Sequence, residues 1–191
     1  AYFVYDGLDS PNRQKYVPGF AITGLIAAIT GFFMIFTWPL PGSYNIAFGE
    51  ASVMFGLLFL GAALAMGLGW HLISVAIYGF IAGLAAIDYG ARILSLGLTQ
   101  APIAAGVGYI LAGLAGVLAI PAALWHNNRI LRLVLILVLL GAAGIFAVTG
   151  YAAIWAHLSD YLKWVPFTLR TSYLLLLSTA RLVCGGESGL T

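Results

Sequence analysis

Asp88 and Arg92 stand four residues apart in an otherwise apolar stretch, residues 72–98. On a helix that spacing puts both side chains on one face, with the acid on the N-terminal side, the more favourable order. Ionisable groups at membrane depth cost roughly 2.5–3.5 kcal/mol each on insertion scales unless they are paired or wet. Glu50 opens the second apolar stretch, and alternation of spans brings it to the same side of a membrane as Asp88 and Arg92. Tyr44 and Asn45 lie in the segment just before it. Glu50, Asp88 and Arg92, with Tyr44 and Asn45 over them, therefore form the candidate cluster. Two chemistries fit it: a proton or ligand site, or a salt bridge that pins two helices and a loop.

The histidines offer less. His71, His126 and His157 each follow closely on a tryptophan, at Trp70, Trp125 and Trp155. Imidazole suits haem iron and copper, and His71 and His126 fall on one side of the membrane, so they are the candidate haem or copper ligands. They lack the one-turn spacing of a helical metal site, and interfacial histidines beside belt tryptophans explain them as well. No metal or other cofactor is expected, and bound lipid is. One cysteine, Cys184, leaves no internal disulfide and no multi-cysteine cluster. Walker, dinucleotide-binding and nucleophile-elbow motifs are missing from the sequence. His157, Ser159 and Asp160 crowd one helix end and make no catalytic triad.

The elements that must position these residues are read from hydropathy. Charged residues make up 7% of the chain and hydrophobic ones 62%, where a soluble domain carries about 25% charged residues. The net charge of +2, with no basic run or stacking platform, argues against nucleic acid. Apolar stretches at 17–38, 51–69, 72–98, 103–124 and 130–156 each approach or exceed the ~20 residues a helix needs to cross hydrocarbon. The expected fold is all-α, a polytopic transmembrane bundle of six spans, or of five plus an interfacial amphipathic helix. The sixth would open near Pro166, with a short apolar core at 173–180 between Arg170 and Arg181. Trp38-Pro39-Leu40-Pro41 ends the first span, because two prolines so close cannot continue a helix. Residues 43–50 read as a loop that dips into the interface. Pro121 is expected to kink the fourth span. The five tryptophans and ten tyrosines gather near span ends, as an aromatic belt does.

Residues 1–16 form a polar arm and 184–191 a polar tail of a single membrane domain. Asp6, Asp9, Arg13 and Lys15 precede Val17 without an apolar core between them, so no secretory signal peptide is expected in this arm. With six spans and a cytoplasmic N-terminus, Arg13, Lys15, Arg129, Arg132 and Arg181 lie inside and Arg92, Lys163 and Arg170 outside, the orientation the positive-inside bias favours. Small residues recur every four positions: Thr23, Ala27 and Gly31; Gly79 and Gly83; Ala82, Ala86 and Gly90; Ala104, Gly108, Ala112 and Gly116. Such ladders let helices approach closely in lipid, within the bundle or against other subunits. No convincing repeat relates the two halves.

The stretch Thr37-Trp38-Pro39-Leu40-Pro41-Gly42-Ser43-Tyr44-Asn45-Ile46-Ala47-Phe48-Gly49-Glu50 resembles an uncharacterised family of prokaryotic multi-pass membrane proteins, domain of unknown function 981. Length and hydropathy profile are similar as well. The resemblance implies a bacterial or archaeal inner membrane and carries no activity or catalytic residue.

Three functions are expected in order. The first is a non-catalytic subunit of a larger membrane complex, respiratory or electron-transferring by analogy. Polar termini are ordered only where something holds them, and docking of both onto other membrane subunits is the expectation. The second is a small channel or transporter for an ion or small solute at Glu50, Asp88 and Arg92. The third is a haem-binding electron carrier.

Overall fold

The computed structural model describes residues 12–40, 42–125 and 127–160. The chain divides into two compact units, Ala1–Thr149 and Gly150–Thr191. The first unit holds the helix pairings and the candidate cluster. Of the second, residues 150–160 are described, and they are helical. The expected sixth span, the C-terminal tail, Cys184 and most of the N-terminal arm lie outside the described residues.

Every regular element among the described residues is helical. A single 3-10 turn, Arg13–Tyr16, leads into α1 (Val17–Thr37). Pro18 sits in the first turn of α1, where its missing N–H costs no hydrogen bond. A π-helical segment, Asn45–Glu50, leads into α2 (Ala51–Leu68). Then follow α3 (Ile73–Leu96), α4 (Pro102–Val117), α5 (Ala119–Leu124) and α6 (Arg129–Asp160). Among the described residues five helical stretches are long and apolar enough to cross a membrane: Arg13–Thr37, Asn45–Leu68, Ile73–Leu96, Pro102–Leu124 and Arg129–Ser159. The protein is therefore read as a helical membrane protein.

Helix ends follow from local chemistry. Gly69 and Gly97 cap α2 and α3 in the left-handed conformation that glycine adopts without a Cβ clash. Trp38 takes the same conformation after α1, at φ 48°, held there by a hydrogen bond from its N–H to the Met34 carbonyl at 3.1 Å. The Asn128 side chain accepts from the N–H groups of Ile130 and Leu131 at 3.0 and 3.1 Å, which caps α6. Pro121 acts as expected. It cannot donate to the Val117 carbonyl and its ring crowds that turn, and α4 ends at Val117.

One expectation changes. Residues 45–50, read as an interfacial loop, are instead the wide first turn of the second span. They bury Asn45, Ala47 and Gly49.

Glycine sets the helix pairing. α1 and the second span approach until a Cβ on Gly24 would lie 2.8 Å from the Gly56 carbonyl, and one on Gly31 2.8 Å from the Gly49 carbonyl. α3 and α4 do the same, with Gly83 against the Gly113 carbonyl at 2.6 Å and Gly90 against the Gly106 carbonyl at 2.7 Å. Contact at these distances is backbone on backbone, which only glycine permits. The small-residue faces thus close the chain's own hairpins. The expected ladders of α3 are buried, and Gly116 of α4 meets the Gly79 carbonyl at 2.5 Å; in α1 the register differs, with Gly24, Ala28 and Gly31 buried, and Gly108 packs beside Ile145 and Phe146 of α6.

The two hairpins repeat each other. In each of the four helical stretches the paired glycines are seven residues apart: Gly24 and Gly31, Gly49 and Gly56, Gly83 and Gly90, Gly106 and Gly113. Gly31 precedes the α1 end at Thr37 as Gly90 precedes the α3 end at Leu96. Gly49 follows Asn45 as Gly106 follows Pro102. The sequence shows no obvious repeat because only the glycine spacing is kept.

The two hairpins meet through a core of Ala51, Ala86, Ile93 and Tyr109, with Phe48, Phe55, Tyr89, Leu98 and Ala105 packed around it. A second cluster of Ala115, Ala122 and Leu135 holds α6.

Candidate functional site

The π-helical turn decides where the polar groups near α2 point. Its buried face carries Asn45, which is fully enclosed. The Asn45 amide is used locally: Oδ1 accepts from the Leu40 N–H at 3.0 Å, and Nδ2 donates to the Leu40 carbonyl. Asn45 is a clasp that folds the inter-helix connector back on itself. Tyr44 stacks on Phe48 with ring centroids 6.2 Å apart. Phe48 meets Tyr109 of α4 at 6.1 Å, and Tyr109 meets Phe146 of α6 edge-on at 5.6 Å. The buried Tyr109 hydroxyl donates to the Ala47 carbonyl in a long contact of 3.4 Å. Tyr44 and Asn45 therefore serve the scaffold beside the site and do not reach the charges.

Glu50, the last residue of the π-helical turn, is exposed. Its Oε2 accepts a hydrogen bond from the Tyr89 hydroxyl of α3 at 2.9 Å. Tyr89 was missed by sequence reasoning, which looked for opposite charges. The signal available was its place beside Asp88, one position off the charged face and turned toward α2.

Asp88 and Arg92 are both exposed, and no salt bridge involves either among the described residues. The ion pair expected from their spacing is not formed. On α3 the inward positions are taken by Gly83, Ala86, Gly90 and Ile93. Asp88 and Arg92 fall on the opposite side, with Ile77, Ile81 and Leu84, which are 49%, 61% and 50% exposed. Asp88 stands eight residues before the end of α3 at Leu96, about 12 Å along the axis at 1.5 Å per residue.

The repeat shows that this cluster belongs to one pairing of the hairpins alone. The positions matching Glu50, Asp88, Tyr89 and Arg92 in the other hairpin are Val107, Ile29, Thr30 and Phe33. The charges are thus specific to the α2–α3 face and are not a by-product of hairpin architecture.

His71 is exposed in the short connector between α2 and α3. His126, its expected partner as a haem or copper ligand, lies outside the described residues. Among the described residues no three His, Cys, Asp or Glu side chains converge as a metal site.

No curated protein matches the chain, and no solved structure does. A family profile does match, over residues 1–160, with the Trp38–Glu50 segment inside it, and the chain belongs to the family described as Protein of unknown function (DUF981).

Proposed function

We propose that the protein is a non-catalytic integral-membrane subunit whose α2–α3 face is completed in the membrane by another protein. The observation that carries this is the outward position of Asp88 and Arg92 within a candidate span, unpaired with each other. Charged side chains at depth face a bundle interior, a water-filled cavity or a partner, since hydrocarbon offers them no solvation. In this chain the small-residue faces that draw helices together are spent on its own hairpins, so the charged face is what remains for association. Its aliphatic flank, Ile77, Ile81 and Leu84, suits packing against a helix. The membrane we assign is a prokaryotic inner membrane, with Arg13, Lys15, Arg129 and Arg132 on its cytoplasmic side by the positive-inside bias.

The test is to extract the full chain from native membranes in lipid nanodiscs and weigh the particle. The expected mass exceeds that of one chain, and the excess falls when Asp88→Asn is introduced. A single chain per particle, unchanged by the substitution, overturns the reading.

A second reading, a small-solute or ion transporter, draws on the π-helical turn that carries Glu50. Such turns inside helices occur often at functional sites. Proteoliposomes separate the two: cation or proton flux abolished by Glu50→Gln supports transport.

A further inference from the structure

We propose that the two hairpins are rigid bodies that swing apart about the connector 69–72, and that three tyrosine hydroxyls are the latch that holds them closed. The motion is internal to the chain and needs no partner.

Two kinds of helix contact meet in this bundle. Inside each hairpin the glycines press backbone on backbone. A Cβ on Gly56 would lie 2.5 Å from the Ala28 nitrogen, and one on Gly116 2.5 Å from the Gly79 carbonyl. No side chain stands between these helices to rearrange, so a hairpin cannot loosen by small steps. Across the α2–α3 seam the glycines meet side chains at ordinary distance. A Cβ on Gly61 would lie 3.9 Å from the Val75 side chain, and one on Gly79 3.4 Å from that of Leu58. The core of Ala51, Ala86, Ile93 and Tyr109 is likewise side chain on side chain. In lipid such apolar contact has no hydrophobic drive, because acyl chains are as apolar as the side chains they replace. Polar contacts then weigh more in the choice between closed and open.

Three polar contacts cross the seam in one direction. The Tyr78 hydroxyl of α3 donates to the Met54 carbonyl at 3.3 Å, the Tyr89 hydroxyl to Glu50 at 2.9 Å, and the Tyr109 hydroxyl of α4 to the Ala47 carbonyl at 3.4 Å. Each donor belongs to the second hairpin and each acceptor to the second span. The positions matching these tyrosines in the first hairpin are Gly19, Thr30 and Ser52, so the latch is a property of the seam and not of hairpin architecture. Ala47 and Glu50 stand on the π-helical turn, a feature frequent at functional sites.

The hinge is the four-residue connector between α2 and α3. Gly69 holds φ 74° there, and residues at element ends absorb the rotation when rigid parts swing. So short a link keeps the two helices together at its own end. Opening is therefore widest at the far end, where Tyr89 meets Glu50, and it releases the Glu50 carboxylate from that hydrogen bond. Rocking of one structural repeat against another is an established motion of membrane bundles.

The experiment uses the full chain in lipid nanodiscs, in a Cys184→Ser background, with pairs of spin labels whose separations are read by electron–electron resonance. Labelled chain is diluted in unlabelled chain, so each distance lies within one molecule. Phe36 and Leu96, exposed near the matching ends of α1 and α3, report on the seam. Phe36 with Leu64, and Leu96 with Leu114, all exposed, report on the first and second hairpins. Tyr78→Phe, Tyr89→Phe and Tyr109→Phe are then introduced together. The expected result is a second, longer Phe36–Leu96 distance, at least threefold more populated in the triple variant than in the wild type, with both hairpin distances unchanged. Unchanged hairpin distances also show that the variant is folded. A seam distance that is the same in wild type and variant overturns the latch. Hairpin distances that broaden along with the seam overturn the rigid bodies.

Discussion

The Tyr89 hydroxyl and the Glu50 carboxylate meet at 2.9 Å across the α2–α3 contact. Each comes from a different hairpin. This hydrogen bond thus joins two units that are otherwise matched by packing of Ala51, Ala86, Ile93 and Tyr109. Its place at the mouth of the π-helical turn ties the orientation of that turn to the position of α3.

Breaking this contact should loosen the join between hairpins without unfolding either one. Tyr89→Phe removes the donor and is expected to cost about 0.6 kcal/mol, with ~1.7 kcal/mol as the ceiling for hydrogen bonds between membrane helices. Glu50→Gln keeps an acceptor and should cost less. A double-mutant cycle, read by unfolding in mixed micelles, is expected to show coupling between the two substitutions. Strictly additive effects would mean the hydrogen bond contributes nothing.

Glycines that look alike in the sequence should differ sharply on substitution. A Cβ on Gly56 would lie 2.5 Å from the Ala28 nitrogen, and one on Gly113 2.5 Å from the Gly83 carbonyl. Both neighbours are backbone, so the helices must separate, and overpacking of this kind costs about 1–3 kcal/mol. Gly144 on α6 has nothing within 4 Å of its Cβ position. Gly144→Ala should therefore be neutral or stabilising by up to about 1 kcal/mol, the helix propensity difference. Equal effects at Gly56, Gly113 and Gly144, measured by thermal unfolding in one detergent, would contradict the proposed backbone contacts.

The spans were legible because hydropathy is a one-dimensional signal: a long apolar run suffices, and Pro18, Pro121 and Gly97 mark where runs start, break or stop. Pairing was legible in part. The four-residue ladders held Gly31, Gly79, Gly83, Gly90 and Gly116, which do meet a facing backbone, but they pointed to Thr23 and Ala27 where contact falls on Gly24 with Ala28, and they left out Gly106 and Gly113, because helix crossing also selects a seven-residue glycine repeat that overlaps the ladders. The charged cluster was half legible. The spacing of Asp88 and Arg92 correctly put them on one face, but which face depends on Gly83 and Gly90 turning inward. Glu50 was expected near these charges, and it binds the neighbouring Tyr89 instead because the π-helical turn reorients it.

Orientation can be checked through two asparagines. Asn12 precedes the first span and Asn127 precedes α6, with four spans between them. Alternation puts both on one side, and the orientation proposed above from Arg13, Lys15, Arg129 and Arg132 makes that side the cytoplasmic one. Single cysteines at Asn12 and Asn127, in a Cys184→Ser background, should react with a membrane-impermeant maleimide only in inverted vesicles. Labelling of the two positions from opposite sides would overturn the topology.

Haem binding is expected to be absent. Exposed His71 stands in a connector of four residues, 69–72, and among the described residues it joins no cluster of metal-binding side chains. Protein purified in mild detergent should give no Soret band. A band that disappears on His71→Ala would establish the electron-carrier reading.

Asn45 gives the sharpest test of the turn that carries Glu50. Its amide is fully enclosed and bonded at both ends, accepting from the Leu40 N–H and donating toward the Leu40 and Gly42 carbonyls. Asn45→Ala strips the partners from the Leu40 N–H and carbonyl, and each hydrogen bond so lost costs about 0.5–1.5 kcal/mol, since Leu40 itself is exposed. Asn45→Asp is nearly isosteric but keeps only the acceptor, and it presents a carboxylate oxygen to two carbonyls that need a donor. Its loss should therefore be at least as large at neutral pH. Acidification protonates the introduced carboxyl and supplies the missing donor, so the Asp variant should regain stability as pH falls while the Ala variant does not. The Glu50–Tyr89 contact provides a local readout, since the same π-helical turn holds Asn45 at its start and Glu50 at its end. Tyr89 fluorescence, isolated as the difference from Tyr89→Phe, should shift in both Asn45 variants and return on acidification only for Asp. Matching pH profiles for the Ala and Asp variants would show that Asn45 fills space and does not clasp the connector.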